Sequence, residues 1–145
     1  MSRFYGIDDA NGALPEVERI LAALRGQRTE LIELRDRVVA ASPIDDETPS
    51  AAVAERIRLL RLGMQGLIDQ MQAGVARLID LDITLRDIST GLIDFPALVS
   101  GRPIWLCWRL GESDIDYWHA HDEGFDSRRP LSDLPMSRGS GTPAA

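Results

Sequence analysis

Residues 50–89 read SAAVAERIRLLRLGMQGLIDQMQAGVARLIDLDITLRDIS, and apolar side chains recur in them every seven residues, with a second apolar set in between. The first set is Val53, Leu60, Leu67, Gly74, Leu81 and Ile88, and the second is Ile57, Met64, Met71, Leu78 and Leu85. This spacing is typical of a coiled-coil seam. We therefore predict one helix over residues 50–89, about 60 Å long at the rise of an α-helix.

A second helical pattern precedes this one, in residues 13–41, where leucines and valines recur at steps of three and four residues. Pro15 is tolerated near a helix start because it has no N–H to donate. Pro43 and Pro49 mark the connection after this helix. The connection is long enough to reverse the chain, so the two helices are predicted to form a long antiparallel helical hairpin or coiled coil.

The composition changes after Gly91. Three tryptophans, both histidines and the only cysteine lie between Trp105 and His121. Residues 104–110 alternate in polarity as a strand does, and residues 92–95 could form the preceding strand of a small β-hairpin. Ser113 could cap a short helix over residues 114–119.

The predicted fold class is therefore mainly α, or α+β: a helical hairpin followed by a small C-terminal β-hairpin and a short helix. Residues 1–131 are expected to form a single domain, in which residues 92–131 are a distinct cassette rich in Trp and His. Residues 132–145 are mostly Ser, Pro, Gly, Arg and Ala and are predicted to be a disordered tail.

Charge and hydropathy argue against several classes of partner. The net charge is −7, all 16 basic residues are arginines, and they are interleaved with acids, so nucleic acid is an unexpected partner. No apolar run approaches the roughly 18 to 20 residues of a membrane span. The N-terminal residues lack the features of a secretory signal, and one cysteine allows no internal disulfide. We expect a cytoplasmic protein without a membrane partner.

Several short motifs of the second half resemble those of a bacterial family catalogued as domain of unknown function 2203. They include Gly91-Leu92-Ile93-Asp94-Phe95-Pro96, Leu106-Cys107-Trp108, Gly111-Glu112 and Trp118-His119. The resemblance extends from Phe4 to Leu131. It implies that the C-terminal cassette is a unit shared by the family, and it brings no activity with it.

The polar residues of the cassette suggest two kinds of chemistry. Imidazole and carboxylate groups are ligands for a divalent metal, and His119, Glu112 and His121 are the candidate ligands. Alternatively, Glu112 and His119 could act as a general acid and base, with Asp94 and Arg102 in support. Neither spacing is diagnostic of a known site.

Structural roles for the same residues are more common in proteins. His119 could be a hydrogen-bonded structural residue, and Cys107 a small buried hydrophobe. The tryptophans could be anchors of a core or an interface. Arg102 could pair with nearby acids, and Asp94 could cap a turn.

These observations favour an interaction or ligand-binding module whose C-terminal cassette carries the site and binds a protein or a small molecule. Apolar residues also lie off the seam, which favours a homodimer over packing beneath the C-terminal part of the same chain. They are Leu59, Leu62, Ile68, Ile79 and Ile83. The alternative function is a small metal-dependent or acid/base enzyme that uses Glu112 and His119. A purely structural spacer ranks third, because it leaves the cassette without a role.

Overall fold

A computed structural model describes residues 3–45 and 47–134. Two helices come first, and five strands then form one antiparallel sheet in the order of the chain. The elements are α1 (Ile7–Ala41), α2 (Ala51–Asp80), β1 (Thr84–Asp87), β2 (Leu92–Val99), β3 (Arg102–Arg109), β4 (Tyr117–Ala120) and β5 (Arg129–Pro130). The prediction of a mainly α fold with only a small β-hairpin is therefore wrong, because the C-terminal part is a five-stranded sheet.

The predicted second helix is too long, because α2 ends at Asp80. Asp82 adopts φ 60°, in the left-handed region. The N–H of Ile83 donates to the carbonyl of Leu78, and the N–H of Asp82 donates to that of Ile79. These two bonds form a Schellman C-cap, which usually has glycine at the left-handed position. Since aspartate occupies that position here, the sequence shows no glycine signal at the end of the helix.

The predicted short helix over residues 114–119 is also wrong, because Tyr117–Ala120 is strand β4. Trp118 and His119 are both buried, on opposite faces of the sheet. Successive side chains of a strand point to opposite faces, so β4 can bury one aromatic side chain on each side. Ser113 does not cap a helix here, and its carbonyl accepts a hydrogen bond from Trp108 Nε1 at 2.9 Å.

The two helices run antiparallel, as predicted. Arg77 of α2 pairs with Glu16 near the start of α1, and farther along the hairpin Gln70 pairs with Gln27. A Cβ added to Gly63 would lie 3.2 Å from Leu34 Cδ1, so the helices approach closely there. Helix α1 begins at Ile7, six residues before the predicted start, with Asp9 accepting a hydrogen bond from the backbone N–H of Gly6.

Strand β2 contains Pro96, which cannot donate a hydrogen bond to a neighbouring strand. Its carbonyl accepts a 2.7 Å hydrogen bond from the N–H of Tyr5, on the side that β1 does not reach. The Tyr5 ring packs edge-on against Phe95 at 5.0 Å between centroids. The N-terminal segment therefore closes the edge of β2 where proline leaves it without a donor.

One face of the sheet packs on the near end of the hairpin and forms the core. The buried members from the sheet are Ile93, Phe95, Ala97, Val99, Ile104, Leu106, Trp108 and Trp118. From α1, Ala10, Leu14, Val17, Leu21 and Leu24 meet them, together with Leu78 of α2. We call this the inner face of the sheet, and the opposite face, which contains Asp94, Cys107 and His119, the outer face.

The described residues extend to Leu134, past residue 131. Leu131–Asp133 is a 3-10 helix, and the following Leu134 is buried. The remainder of the predicted tail, residues 135–145, lies outside the described residues. Within the described residues, the helices include none that is both long enough and apolar enough to span a bilayer.

Candidate functional site

Three metal-ligating side chains meet on the outer face of the sheet. Strand pairing places Asp94 of β2 directly opposite Cys107 of β3, and His119 of β4 opposite Trp105. One donor atom each from Asp94, Cys107 and His119 lies within 4.8 Å of the others. All three side chains are 2% exposed or less, so the group is shielded from water although it lies on the face away from the helices.

Asp94 and His119 form the centre of this group. His119 Nε2 lies 3.0 Å from Asp94 Oδ2 and 3.1 Å from Oδ1. His119 Nδ1 lies 3.0 Å from the carbonyl oxygen of Ala120. A carbonyl oxygen can only accept, so Nδ1 carries a hydrogen, and Nε2 is the ring nitrogen that faces the carboxylate. This arrangement fixes the orientation of the ring, as a histidine ligand requires.

Cys107 lies beside this pair as a thiol. Burial, together with the negative charge of Asp94, raises the pKa of Cys107 from 9.0 to about 12. Arg128 Nη1 lies 4.0 Å from its sulfur and acts in the opposite direction. Cys107 is the only cysteine of the chain, and at neutral pH it is protonated and buried unless a cation replaces its proton.

Arg86 is a site residue that the sequence did not indicate. Its Nε donates to Asp94 Oδ2 at 2.8 Å, and its guanidinium lies 5.0 Å from the centroid of the Trp105 ring. The side chain is 41% exposed, in contrast to the buried carboxylate. The heptad pattern assigned Arg86 to a helix. The alternation of Leu81, Ile83 and Leu85 was the only sign of extended backbone in the sequence, and of these three residues only Leu85 lies in β1.

Glu112 lies in a separate ion pair. Arg128 donates to both of its carboxylate oxygens, at 2.6 and 3.1 Å, and the backbone N–H of Arg109 donates to it at 3.0 Å. Burial opposes ionisation, but the bonds from Arg128 and Arg109 outweigh it and lower the pKa of Glu112. Glu112 shares no hydrogen bond with His119 in the described structure, so these two predicted partners are not brought together.

The other two predicted site residues are exposed. Arg102 begins β3, where it pairs with Val99, and its side chain is in solvent. The ring of His121 stacks on that of Trp105 at 5.1 Å and 12°, and Trp105 Nε1 donates to the carbonyl of His121. Of the five predicted site residues, only Asp94 and His119 lie in the buried group.

The three donors fit a transition metal better than Mg²⁺ or Ca²⁺. Imidazole nitrogen, thiolate sulfur and carboxylate oxygen all occur as ligands of Zn²⁺, whereas Mg²⁺ and Ca²⁺ prefer oxygen alone. Metal–ligand bonds of about 2.0–2.3 Å in a tetrahedron place neighbouring ligand atoms roughly 3.3–3.8 Å apart. In this structure, the nitrogen of His119 and the oxygen of Asp94 are 3.0 Å apart, and no two of the three donor atoms are more than 4.8 Å apart. The expected spacing of ligand atoms around a metal falls between these two distances.

The model of the family described as "Uncharacterized conserved protein (DUF2203)" matches residues 3–131. The chain belongs to this family. The match includes the hairpin and the whole sheet, and therefore Asp94, Cys107 and His119. Searches among curated proteins and among solved structures found no match.

Proposed function

We propose that this DUF2203 protein is a binding module whose ligand is a divalent transition-metal ion, held on the outer face of the sheet by Asp94, Cys107 and His119. The supporting observation is the convergence of three different donor atoms within 4.8 Å in a buried location. The proposal keeps the ligand-binding role predicted from the sequence. It retains His119 from the predicted metal ligands and replaces Glu112 and His121 with Asp94 and Cys107.

Two features of the surroundings support a metal ligand. Metal-bound histidines usually donate their second N–H to a backbone carbonyl or a carboxylate, and His119 Nδ1 has the carbonyl of Ala120 for this. Ligating carboxylates are usually hydrogen-bonded as well, and Asp94 accepts from Arg86. Binding would release a proton from Cys107, because only the thiolate is a ligand, so affinity should rise with pH.

The test is metal binding by the full chain after dialysis against a chelator. The protein is equilibrated with Zn²⁺ or Co²⁺, freed of excess ion, and assayed by elemental analysis. We expect about one ion per chain, a Co²⁺ spectrum with a thiolate charge-transfer band, and no retention of Mg²⁺. Zn²⁺ should also raise the melting temperature, because a ligand that binds only the folded state stabilises it.

Four variants locate the ion. Cys107→Ala and His119→Ala should lose it, whereas His121→Ala and Glu112→Gln should retain it. Circular dichroism establishes whether each variant folds. Cys107→Ala is the decisive variant, since it removes one sulfur atom and leaves the Asp94–His119 pair. The proposal fails if the wild-type protein retains no ion, or if Cys107→Ala retains the ion without any change in the Co²⁺ spectrum.

A further inference from the structure

The hairpin extends well beyond the core that it shares with the sheet. In the described parts of the chain, the side chains packed into the core reach only to Leu24 in α1 and resume at Met71 in α2. We call residues 25–41 and 51–70 the distal hairpin. Its apolar seam continues, yet Val38 and Leu67 are its only buried large side chains. A pair of helices needs a further layer to cover its apolar surface, and here the sheet does not provide one.

One flank of the distal hairpin contains a groove of about 410 Å³. Apolar residues dominate its lining, including Leu34 from α1 and Leu59, Leu60 and Gly63 from α2. Gly63, which has no side chain, lines the groove beside Leu34. Leu62 follows at its border and is 56% exposed. An exposed leucine therefore lies next to an apolar groove that is large enough to receive its side chain.

We propose that a second copy of this chain covers this flank, with Leu62 of each copy inserted into the groove of the other. An interface with twofold symmetry brings one patch against the same patch of the other copy. The patch must therefore contain both a projecting side chain and a groove that can receive it. Leu59 in the lining and Leu62 at the border are three residues apart, which makes them neighbours on a helix surface. This flank therefore has what a self-complementary contact requires.

The charges around the groove permit the same contact. A net charge of −7 disfavours association of two copies through a uniformly acidic surface. The groove, however, is lined by both Glu55 and Arg56, and Glu55 is also bonded to Arg58 at 2.8 Å. Twofold rotation can bring Glu55 of one copy near an arginine of the other, so this flank can approach its copy without repulsion between like charges.

The experiment is sedimentation equilibrium of the full chain over a roughly hundredfold range of concentration, for wild type and two charge variants. Leu62→Asp places a carboxylate in the proposed contact. Ile79→Asp is the matched control, since Ile79 is 65% exposed and lies outside the distal hairpin. We expect a dimer for wild type and for Ile79→Asp, and at least about a tenfold weaker dimer for Leu62→Asp.

A cysteine variant tests the geometry without adding charge. Cys107 is buried, so Leu62→Cys introduces the chain's only exposed thiol. If Leu62 lies near the twofold axis, mild oxidation should link two copies, while Ile79→Cys should remain unlinked. A wild-type monomer at every concentration, or a dimer that Leu62→Asp leaves intact, overturns the proposal. The inference rests on the hairpin alone, so loss of metal binding would not affect it.

Discussion

Gly91 offers a direct test of how the register that assembles the buried group is maintained. It adopts φ 68° in the turn between β1 and β2, and its carbonyl accepts from the N–H of Leu110 at 3.0 Å. The β2–β3 pairing begins one residue later, at Leu92 and Arg109, and leads to the pairing of Asp94 with Cys107. Gly91→Ala should therefore strain the backbone at residue 91, next to the first residue pair between β2 and β3.

The structure gives two separate costs for this substitution. A left-handed conformation costs a residue with a side chain about 1–2 kcal/mol. In addition, the new Cβ would lie 2.6 Å from Leu110 Cβ, where ordinary carbon contacts are about 3.5–4.0 Å. Overpacking of this kind typically costs about 1–3 kcal/mol. Together these terms predict a loss of about 2–5 kcal/mol in the free energy of unfolding.

Gly101→Ala is the matched control. Gly101 has φ 78° in the β2–β3 turn, and an added Cβ there would meet no atom within 4 Å. It should therefore show only the conformational cost of about 1–2 kcal/mol. Urea unfolding followed by tryptophan fluorescence measures both variants on the same chain. Equal losses for the two variants would refute the steric part of the argument, and a stable Gly91→Ala protein would refute both parts.

Two further predictions concern ionisable groups. Glu112→Gln should cost about 1–3 kcal/mol at pH 7, because Arg128 would lose its charged partner in a contact less than 20% exposed. Since the pKa of Glu112 is lowered in the folded protein, this stability is present above its usual value and disappears as the pH falls below it. Urea titrations of wild type and Glu112→Gln from neutral to acid pH should converge, and a constant difference would contradict the assignment. Cys107, in chelator-treated protein, has a raised pKa, so the thiol form contributes stability below pH 9.0 that is lost as the pH rises toward about 12. Iodoacetamide should modify Cys107 only in denaturant at neutral pH, and Cys107→Ala should show a weaker loss of stability at alkaline pH; rapid labelling of the native protein would contradict its burial.

The hairpin could be predicted from the sequence, but the end of α2 could not. Apolar spacing reports which side of a helix is covered, so it predicted both helices, and the length of the connection between them predicted their antiparallel packing. The same spacing continues by coincidence through Leu81, Leu85 and Ile88 into β1. The helix ends because Asp82 adopts a left-handed conformation that glycine usually occupies, and composition does not show this.

The site was predictable in part, for a related reason. The concentration of rare side chains between Trp105 and His121 pointed to the region that contains Cys107 and His119 of the buried group, and Asp94 and His119 were both named. Their proximity depends on strand register, which sets Asp94 beside Cys107 and brings β4 to the other side of β3. Two of the other partners were not among the predicted site residues. Arg86 is in β1, and Arg128 follows a 3-10 helix.

The sequence by itself determined two amphipathic helices, an apolar core and a region that carries the unusual chemistry, because these depend on local spacing and composition. Only the tertiary structure decided which polar groups meet. Residues 25 apart, Asp94 and His119, lie 3.0 Å from each other at Oδ2 and Nε2, while Glu112, only seven residues from His119, is bonded to Arg128 instead. Pairing between strands brings together residues that are distant along the chain, and the contacts that result cannot be deduced from their spacing in the sequence.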